Sequence, residues 1–106
     1  MGYRSHVAFA ITREAEVRER LINPIVAKIL DEADSVKTRD EHNVYEWTST
    51  KWDDTFSEIR TFEIWLNQME DEDPMPFQFL RHGEDTEDIE ERGNWEMGMR
   101  FGIIID

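Results

Sequence analysis

The chain of 106 residues contains no cysteine, only three prolines and five glycines, and no long apolar run. The absence of cysteine excludes disulfide bridges, thiolate metal ligands and catalysis by a thiol. No apolar stretch approaches the roughly 18 residues of a membrane-spanning helix, so we expect a soluble, intracellular protein without a membrane partner. No glycine opens a helix in the way that phosphate-binding loops require, which argues against nucleotide binding.

Basic residues are also scarce. Twelve Lys and Arg stand against 25 Asp and Glu, and the net charge is -13. Such a chain is unsuited to direct binding of nucleic acid, because phosphates need positively charged partners. The imbalance is uneven: residues 1–52 hold nine acids and eight bases, whereas residues 53–106 hold sixteen acids and four bases. This asymmetry indicates an interaction surface.

Apolar residues make up 39% of the chain and aromatic residues 11%, which is enough for one hydrophobic core. At this length we expect a single domain over residues 1–106. Alternation over residues 3–11 predicts a strand. Thr12 is placed to cap a helix over residues 13–33, which Pro24 bends or breaks near Asn23. The apolar stripe of this helix, of the kind that usually faces a core, consists of Val17, Leu21, Ile25 and Ile29.

Residues 36–52 are predicted to be extended and to form a hairpin with a turn at His42-Asn43. A capping box from Thr55 to Glu58 starts a second helix, which ends before Asp73-Pro74. A short strand follows over residues 76–82, then a turn at residues 92–94, and alternation over residues 95–105 predicts a long final strand. The order indicates an α+β fold, a two-layer sandwich with a mainly antiparallel sheet and two helices on one face. A ferredoxin-like order with extra strands is the nearest common arrangement.

No arrangement typical of a catalytic site is visible, and we expect a protein that is not an enzyme and has no cofactor or metal. None of the three histidines lies in a recognisable nucleophile motif. His82 is close in sequence to several acids, but the acidic run from residue 84 lacks the residue order and central glycine of an EF-hand. A solvated loop or edge strand is the expected structure of that run.

The tryptophans are expected to fill or border the core, because large aromatic side chains are mostly buried. Trp52 is the best candidate for an exposed anchor of a protein interface, since it is flanked by charged residues just before a helix.

The acidic clusters are the second feature of the sequence that bears on binding to a partner. Charge runs are usually solvated faces, so simple solubility is one interpretation. The other is a surface offered to a basic partner, because DNA carries one negative charge per ~1.7 Å and carboxylates along one side of a domain imitate that pattern. The clusters fall at loops and element ends, where they are expected to project together. The predicted partner-binding acids are Asp53, Asp54, Glu70, Asp71, Glu72, Asp73, Glu84, Asp85, Glu87, Asp88, Glu90 and Glu91.

Two stretches carry a family resemblance. The N-terminal Gly2-Tyr3-Arg4-Ser5 and the later Arg81-His82-Gly83-Glu84-Asp85-Thr86-Glu87-Asp88-Ile89-Glu90 together resemble small acidic proteins of tailed bacteriophages and prophages. The Trp47, Trp52 and Asp53 spacing is similar as well. The resemblance implies a role in infection, in the cytoplasm of a bacterial host, and by analogy the blocking of a host enzyme or defence system.

The first hypothesis is therefore a non-enzymatic, phage-encoded inhibitor. It would bind a host or defence protein that itself binds nucleic acid, as in anti-restriction or anti-CRISPR proteins. A self-associating assembly protein, whose apolar strand faces form the interface, is the second hypothesis. A protein that binds a small ligand or a metal is the third.

Overall fold

The computed structural model describes residues 4–39, 41–53, 55–85 and 87–94. Five strands and three helices lie within these ranges, and the predicted final strand over residues 95–105 lies outside them. In chain order they are β1 (Ser5–Thr12), α1 (Arg13–Ile22), α2 (Pro24–Asp31), β2 (Ser35–Thr38), β3 (His42–Thr50), α3 (Ser57–Met69), β4 (Phe77–Gly83) and β5 (Ile89–Gly93).

The five strands form one antiparallel sheet in the order β2-β3-β1-β4-β5. The predicted α+β class and mainly antiparallel sheet are confirmed. The described part of the chain has three helices where two were predicted, because the expected break at Asn23 separates α1 from α2. Pro24 occupies the first turn of α2, where its missing N–H leaves no donor unsatisfied.

The core lies between the helices and one face of the sheet. Val7, Phe9 and Ile11 of β1 are fully buried on that face, and their cluster includes residues from all three helices. The ring of Phe9 lies 5.3 Å from that of Phe62 and 5.5 Å from that of Trp65, measured between ring centroids. These tilted and edge-on contacts are the favoured aromatic geometries. The alternation predicted for β1 therefore places its large residues against the helices.

The opposite face of the sheet has its own small buried cluster. Ala8, Ala10 and Leu80 are fully buried there, and Val44 packs against them. Both faces of β1 are thus removed from solvent.

The orientation of α1 differs from the prediction. The side chain of Thr12 caps the helix as predicted, accepting a hydrogen bond from the N–H of Ala15. The apolar residues Val17 and Leu21, however, are 63% and 81% exposed, and the buried residues of α1 are Ala15 and Glu16. The predicted apolar stripe of α1 therefore faces outward, and the core-facing prediction was wrong for this helix.

A buried polar network explains that rotation. Glu16 accepts hydrogen bonds from the Tyr45 hydroxyl, from Asn43 Nδ2 at 3.0 Å and from Arg20 Nε at 2.8 Å. Burial alone would raise the pKa of Glu16, but these three donors outweigh it and hold the pKa below its ordinary value. Turning α1 to bury Leu21 would break this network and leave polar groups without partners, which costs more than one leucine gains.

The predicted turn before β3 and the predicted capping box of α3 were also wrong. His42 and Asn43 are not a turn but the first residues of β3, where they pair with Thr12 and Ile11 of β1. The N-cap of α3 is Phe56, which makes no side-chain capping hydrogen bond, so the predicted capping box is not formed. The loop before α3 is closed instead by the Phe56 N–H, which donates to the carbonyl of Asp53.

The strand β5 lies at one edge of the sheet, and it includes the end of the acidic run, for which a solvated loop or an edge strand was predicted, and the start of the turn predicted at residues 92–94. It pairs with β4, with Gln78 opposite Gly93 and His82 opposite Ile89. Gly93 has a φ of +91°, and a Cβ at this position would lie 2.4 Å from the carbonyl oxygen of Phe77. Only glycine fits here, because a Cβ would clash with that oxygen and because L side chains rarely adopt a positive φ.

The described part of the chain contains no helix that is long and apolar enough to cross a membrane. The radius of gyration of the Cα atoms is 12.9 Å, the value typical of a compact domain of about 100 residues.

Candidate partner-binding surface

The sheet register separates the predicted acids into two groups. Ser5 of β1 pairs with Gly83 and with Thr50, so the hairpin after Gly83 and the loop after Thr50 lie at one end of the sheet. Thr12 pairs with His42, and its N–H donates to the carbonyl of Pro76, so the loop after α3 lies at the other end. We call these the hairpin cluster (Glu84, Asp85, Glu87 and Asp88, with Asp53 nearby) and the loop cluster (Glu70, Asp71, Glu72 and Asp73).

The two clusters do not project together as predicted. They are separated by the length of β1, and its eight residues span about 23 Å at roughly 3.3 Å per step. The sequence could not show this, because the separation follows from how β1 pairs with its neighbours.

The hairpin cluster has an ordered backbone. The N–H of Gly83 donates to the carbonyl of Asp88 at 2.8 Å, and the N–H of Asp88 donates to the carbonyl of Asp85 at 3.0 Å. The N–H of Glu87 donates to the Asp85 carboxylate at 3.2 Å. Since Glu84, Asp85 and Glu87 are exposed, this short turn presents three carboxylates to solvent.

Asp88 and Glu90 have a structural role instead. The guanidinium of Arg81 donates to both oxygens of Asp88, at 2.8 and 3.2 Å, and to Glu90 at 3.1 Å. The hydrogen bonding of the Arg81 guanidinium to the Asp88 carboxylate is the largest cause that raises the pKa of Arg81, so this cation stays charged. Because Arg81 offsets part of their charge and occupies their carboxylate oxygens, Asp88 and Glu90 contribute less to a surface for a basic partner.

The loop cluster divides in the same way. Glu70 accepts from Arg92 at 3.0 and 3.2 Å, and Glu72 accepts from Arg18 at 3.0 Å. Asp71 and Asp73 are exposed, and neither forms an ion pair within the described ranges. Glu91 of β5 is likewise exposed and forms no ion pair within the described ranges. Asp54 lies outside the described residues.

A cleft of about 530 Å³ adjoins the loop cluster, at the Thr12 end of the sheet. Its walls carry Glu72 and two further carboxylates, Glu14 and Glu41, which the sequence analysis did not assign to the surface. The pairing of His42 with Thr12 brings Glu41 close to the start of α1, and only knowledge of that register could have identified it.

The prediction of Trp52 as an exposed anchor is wrong. Its ring packs beside the rings of Trp47, Phe62 and Phe79, with centroid distances of 5.9, 5.3 and 5.6 Å. Its indole N–H donates to Glu63 of α3 at 2.8 Å. Trp52 is half-buried at the edge of the core, where it joins the loop after β3 to α3.

The histidine and carboxylate side chains of the described residues do not converge on a metal site. In residues 4–39, 41–53, 55–85 and 87–94, no group of three or more His, Asp or Glu side chains is placed to hold a metal ion. His6 and Glu46 form an isolated pair, with 2.5 Å between Nε2 and Oε2.

No protein-family model, curated protein or solved structure matches this chain.

Proposed function

We propose that this chain is a non-enzymatic inhibitor that binds a nucleic-acid-binding protein through its acidic surface. The observation that carries the proposal is the presence of exposed carboxylates outside ion pairs, among the described residues, at both ends of one sheet. They comprise Asp71 and Asp73 at one end and Glu87 at the other, and Glu91 is a further such carboxylate in β5, opposite Leu80.

The distance between the two clusters suits binding to the DNA-binding surface of another protein. About 23 Å corresponds to roughly seven base-pair steps of 3.4 Å. A groove that tracks a duplex backbone offers Lys and Arg side chains over that length, and carboxylates at both ends of the sheet compete for them. Such binding is fast at low salt because of electrostatic steering, and it weakens as salt screens the charges.

The partner class follows from this chemistry and from the resemblance to phage proteins. A nuclease, a restriction enzyme or a nucleic-acid-guided complex has the required basic groove. In this proposal the chain acts in the cytoplasm of a phage-infected bacterium, where blocking such an enzyme protects the infecting genome.

We also propose that the fold is a ferredoxin-like arrangement with β5 added at one edge. Support comes from the strand order β2-β3-β1-β4, with α1 and α2 between β1 and β2, and α3 between β3 and β4. An experimental structure that superposes on ferredoxin-like domains over these elements would support the assignment, and one with a different strand order would contradict it.

The binding proposal is tested by capturing partners from nuclease-treated bacterial lysate on the immobilised protein. We expect a nucleic-acid-binding protein to be retained at low salt, to elute as salt rises, and to be displaced by duplex DNA. The test variant carries Glu84→Lys, Glu87→Lys and Glu91→Lys, three exposed side chains whose reversal leaves the Arg81 ion pairs intact. It should lose most of the binding.

The matched control carries Asp31→Lys, Glu32→Lys and Asp34→Lys, which changes the net charge equally at exposed positions outside the predicted set and outside the cleft. Because the charge change is the same, a difference between the two variants reports position. Equal retention by the test variant and the unmodified chain would contradict the proposal, and so would the absence of any retained protein at low salt.

A further inference from the structure

Four of the eight exposed large apolar side chains among the described residues lie where α1 meets α2. We call this group the helical apolar patch, and its four side chains keep between 40% and 81% of their accessible surface. It consists of Val17, Leu21, Ile22 and Ile25. Val17 and Leu21 are one helical turn apart on α1 and are neighbours on its surface, and Ile22 and Ile25 lie on either side of the break at Asn23, where α1 meets α2.

Other exposed apolar side chains in the described ranges are distributed over separate elements. Val36 lies on β2, Ile89 on β5, and Phe56 and Ile64 lie at the start and middle of α3. Single exposed apolar residues are normal on a protein surface, whereas a contiguous group marks an interaction site.

The patch is held outward by the polar contacts on the other side of α1. Glu16 is fixed by Tyr45, Asn43 and Arg20, as described above. One turn further along, Glu19 accepts a hydrogen bond from the indole N–H of Trp65 at 2.6 Å. Because both acids point to the sheet and α3, Val17 and Leu21 cannot turn toward the core while these bonds persist.

The charge of the two helices favours a second copy of this chain as the occupant of the patch. Residues 13–31 hold four basic and four acidic side chains, so the whole net charge of -13 lies outside α1 and α2. Two copies of this acidic chain repel each other across most approaches. The helical pair is a neutral surface on which a second copy can dock with little repulsion, whereas a strongly basic partner would be drawn to the acidic ends of the sheet.

We propose that a second copy of this chain docks on the helical apolar patch, so that the patches of two chains pack against each other about a two-fold axis. In such an interface the same surface is used on both chains. Stable interfaces bury about 800 Å² on each partner, and four side chains supply only part of that area. The dimer is therefore weak, with a dissociation constant in the micromolar range or above.

Sedimentation velocity of the full chain over a range of concentrations tests the proposal, at low and at high salt. We expect the weight-average mass to rise from monomer toward dimer with concentration, and to rise further at high salt, because screening reduces repulsion between the two chains. Leu21→Glu, at the most exposed position of the patch, should keep the chain monomeric throughout.

The control is Ile64→Glu, which adds the same charge at a 51%-exposed isoleucine on α3. It should associate like the unmodified chain, and circular dichroism establishes that both variants are folded. A chain that stays monomeric at about 1 mM in both salts overturns the proposal. Equal loss of association in both variants, or a Leu21→Glu variant that still dimerises, overturns it as well.

This inference does not rest on the proposed inhibitory function. The two respond to salt in opposite directions, since dimerisation strengthens and acidic partner binding weakens as salt rises. Failure of one is therefore distinguishable from failure of the other.

Discussion

Glu16 is the residue that sets how α1 sits on the sheet. It is 8% exposed, and its closest contact in the sheet is Tyr45, which is 29 residues away in sequence. The burial of Tyr45 and its hydrogen bond to Glu16 raise the pKa of this tyrosine to about 12, so it remains a neutral donor at physiological pH. A periodic pattern of apolar residues carries no information about such a partner. For that reason the sequence predicted the helix but not its rotation.

We expect Glu16→Gln to lower the free energy of unfolding at pH 7 by about 2 kcal/mol, because hydrogen bonds to a charged group are lost. The folded-state pKa of Glu16 lies below its ordinary 4.5, so this stabilisation is present above about 4.5 and disappears as pH falls through the folded value. Urea unfolding at pH 7 and below pH 4.5 measures the free energy of unfolding of the variant and of the unmodified chain. The difference between these two free energies should be smaller in acid.

The control for this measurement is Glu14→Gln, at an exposed position in the first turn of the same helix. It should have little effect at either pH. If Glu14→Gln lowers the free energy of unfolding as much as Glu16→Gln does, the hydrogen-bond network of Glu16 is not what stabilises this helix. The same conclusion holds if the loss of free energy in Glu16→Gln does not depend on pH.

Among the elements, β5 shows most clearly what the sequence could and could not predict. The strand β1, the break at Asn23 and the strand β4 follow from local patterns, namely alternation, a proline and a short apolar run. In contrast, local patterns could not decide between a solvated loop and an edge strand for the acidic run, and they predicted a turn at residues 92–94. Ile89–Gly93 forms an edge strand because it pairs with β4. The placement of the acidic clusters at opposite ends of the sheet has the same origin in strand pairing.

Arg92 fixes β5 to the helical layer. Its guanidinium donates to Glu70 at 3.0 Å and to the side-chain oxygen of Asn67, and lies 3.8 Å from Glu63. We expect Arg92→Ala to increase amide hydrogen exchange in residues 89–93, because the edge strand loses its contacts with α3.

The comparison variant is Arg60→Ala, since Arg60 is an exposed cation on α3, the helix that Arg92 contacts. Exchange in residues 89–93 should be unchanged in that variant, and exchange in β1 should be unchanged in both. Unaltered exchange in residues 89–93 after loss of Arg92 would show that strand pairing with β4 holds β5 by itself.

At the scale of the whole molecule, electrostatic repulsion opposes folding. With a net charge of -13 on 106 residues, the exposed carboxylates repel one another more strongly in the compact state than in the extended chain. We expect the thermal unfolding midpoint to rise as salt is increased from about 20 mM to about 500 mM, because the Debye length shortens over that range. Differential scanning calorimetry measures the shift.

The variant with Glu84→Lys, Glu87→Lys and Glu91→Lys provides the comparison for this measurement. Its smaller net charge should give a higher midpoint at low salt and a weaker response to added salt. A midpoint that is flat or falls with salt in the unmodified chain would mean that the ion pairs of Arg81, Arg92 and Arg18 outweigh the repulsion.

The neutral pair of helices gives the molecule an electric dipole moment. The centre of negative charge is displaced away from α1 and α2, since residues 13–31 contribute no net charge. In the field of a basic protein the chain therefore experiences a torque that turns the neutral pair of helices away from that protein. An encounter in that orientation would leave the helical apolar patch accessible to a second copy.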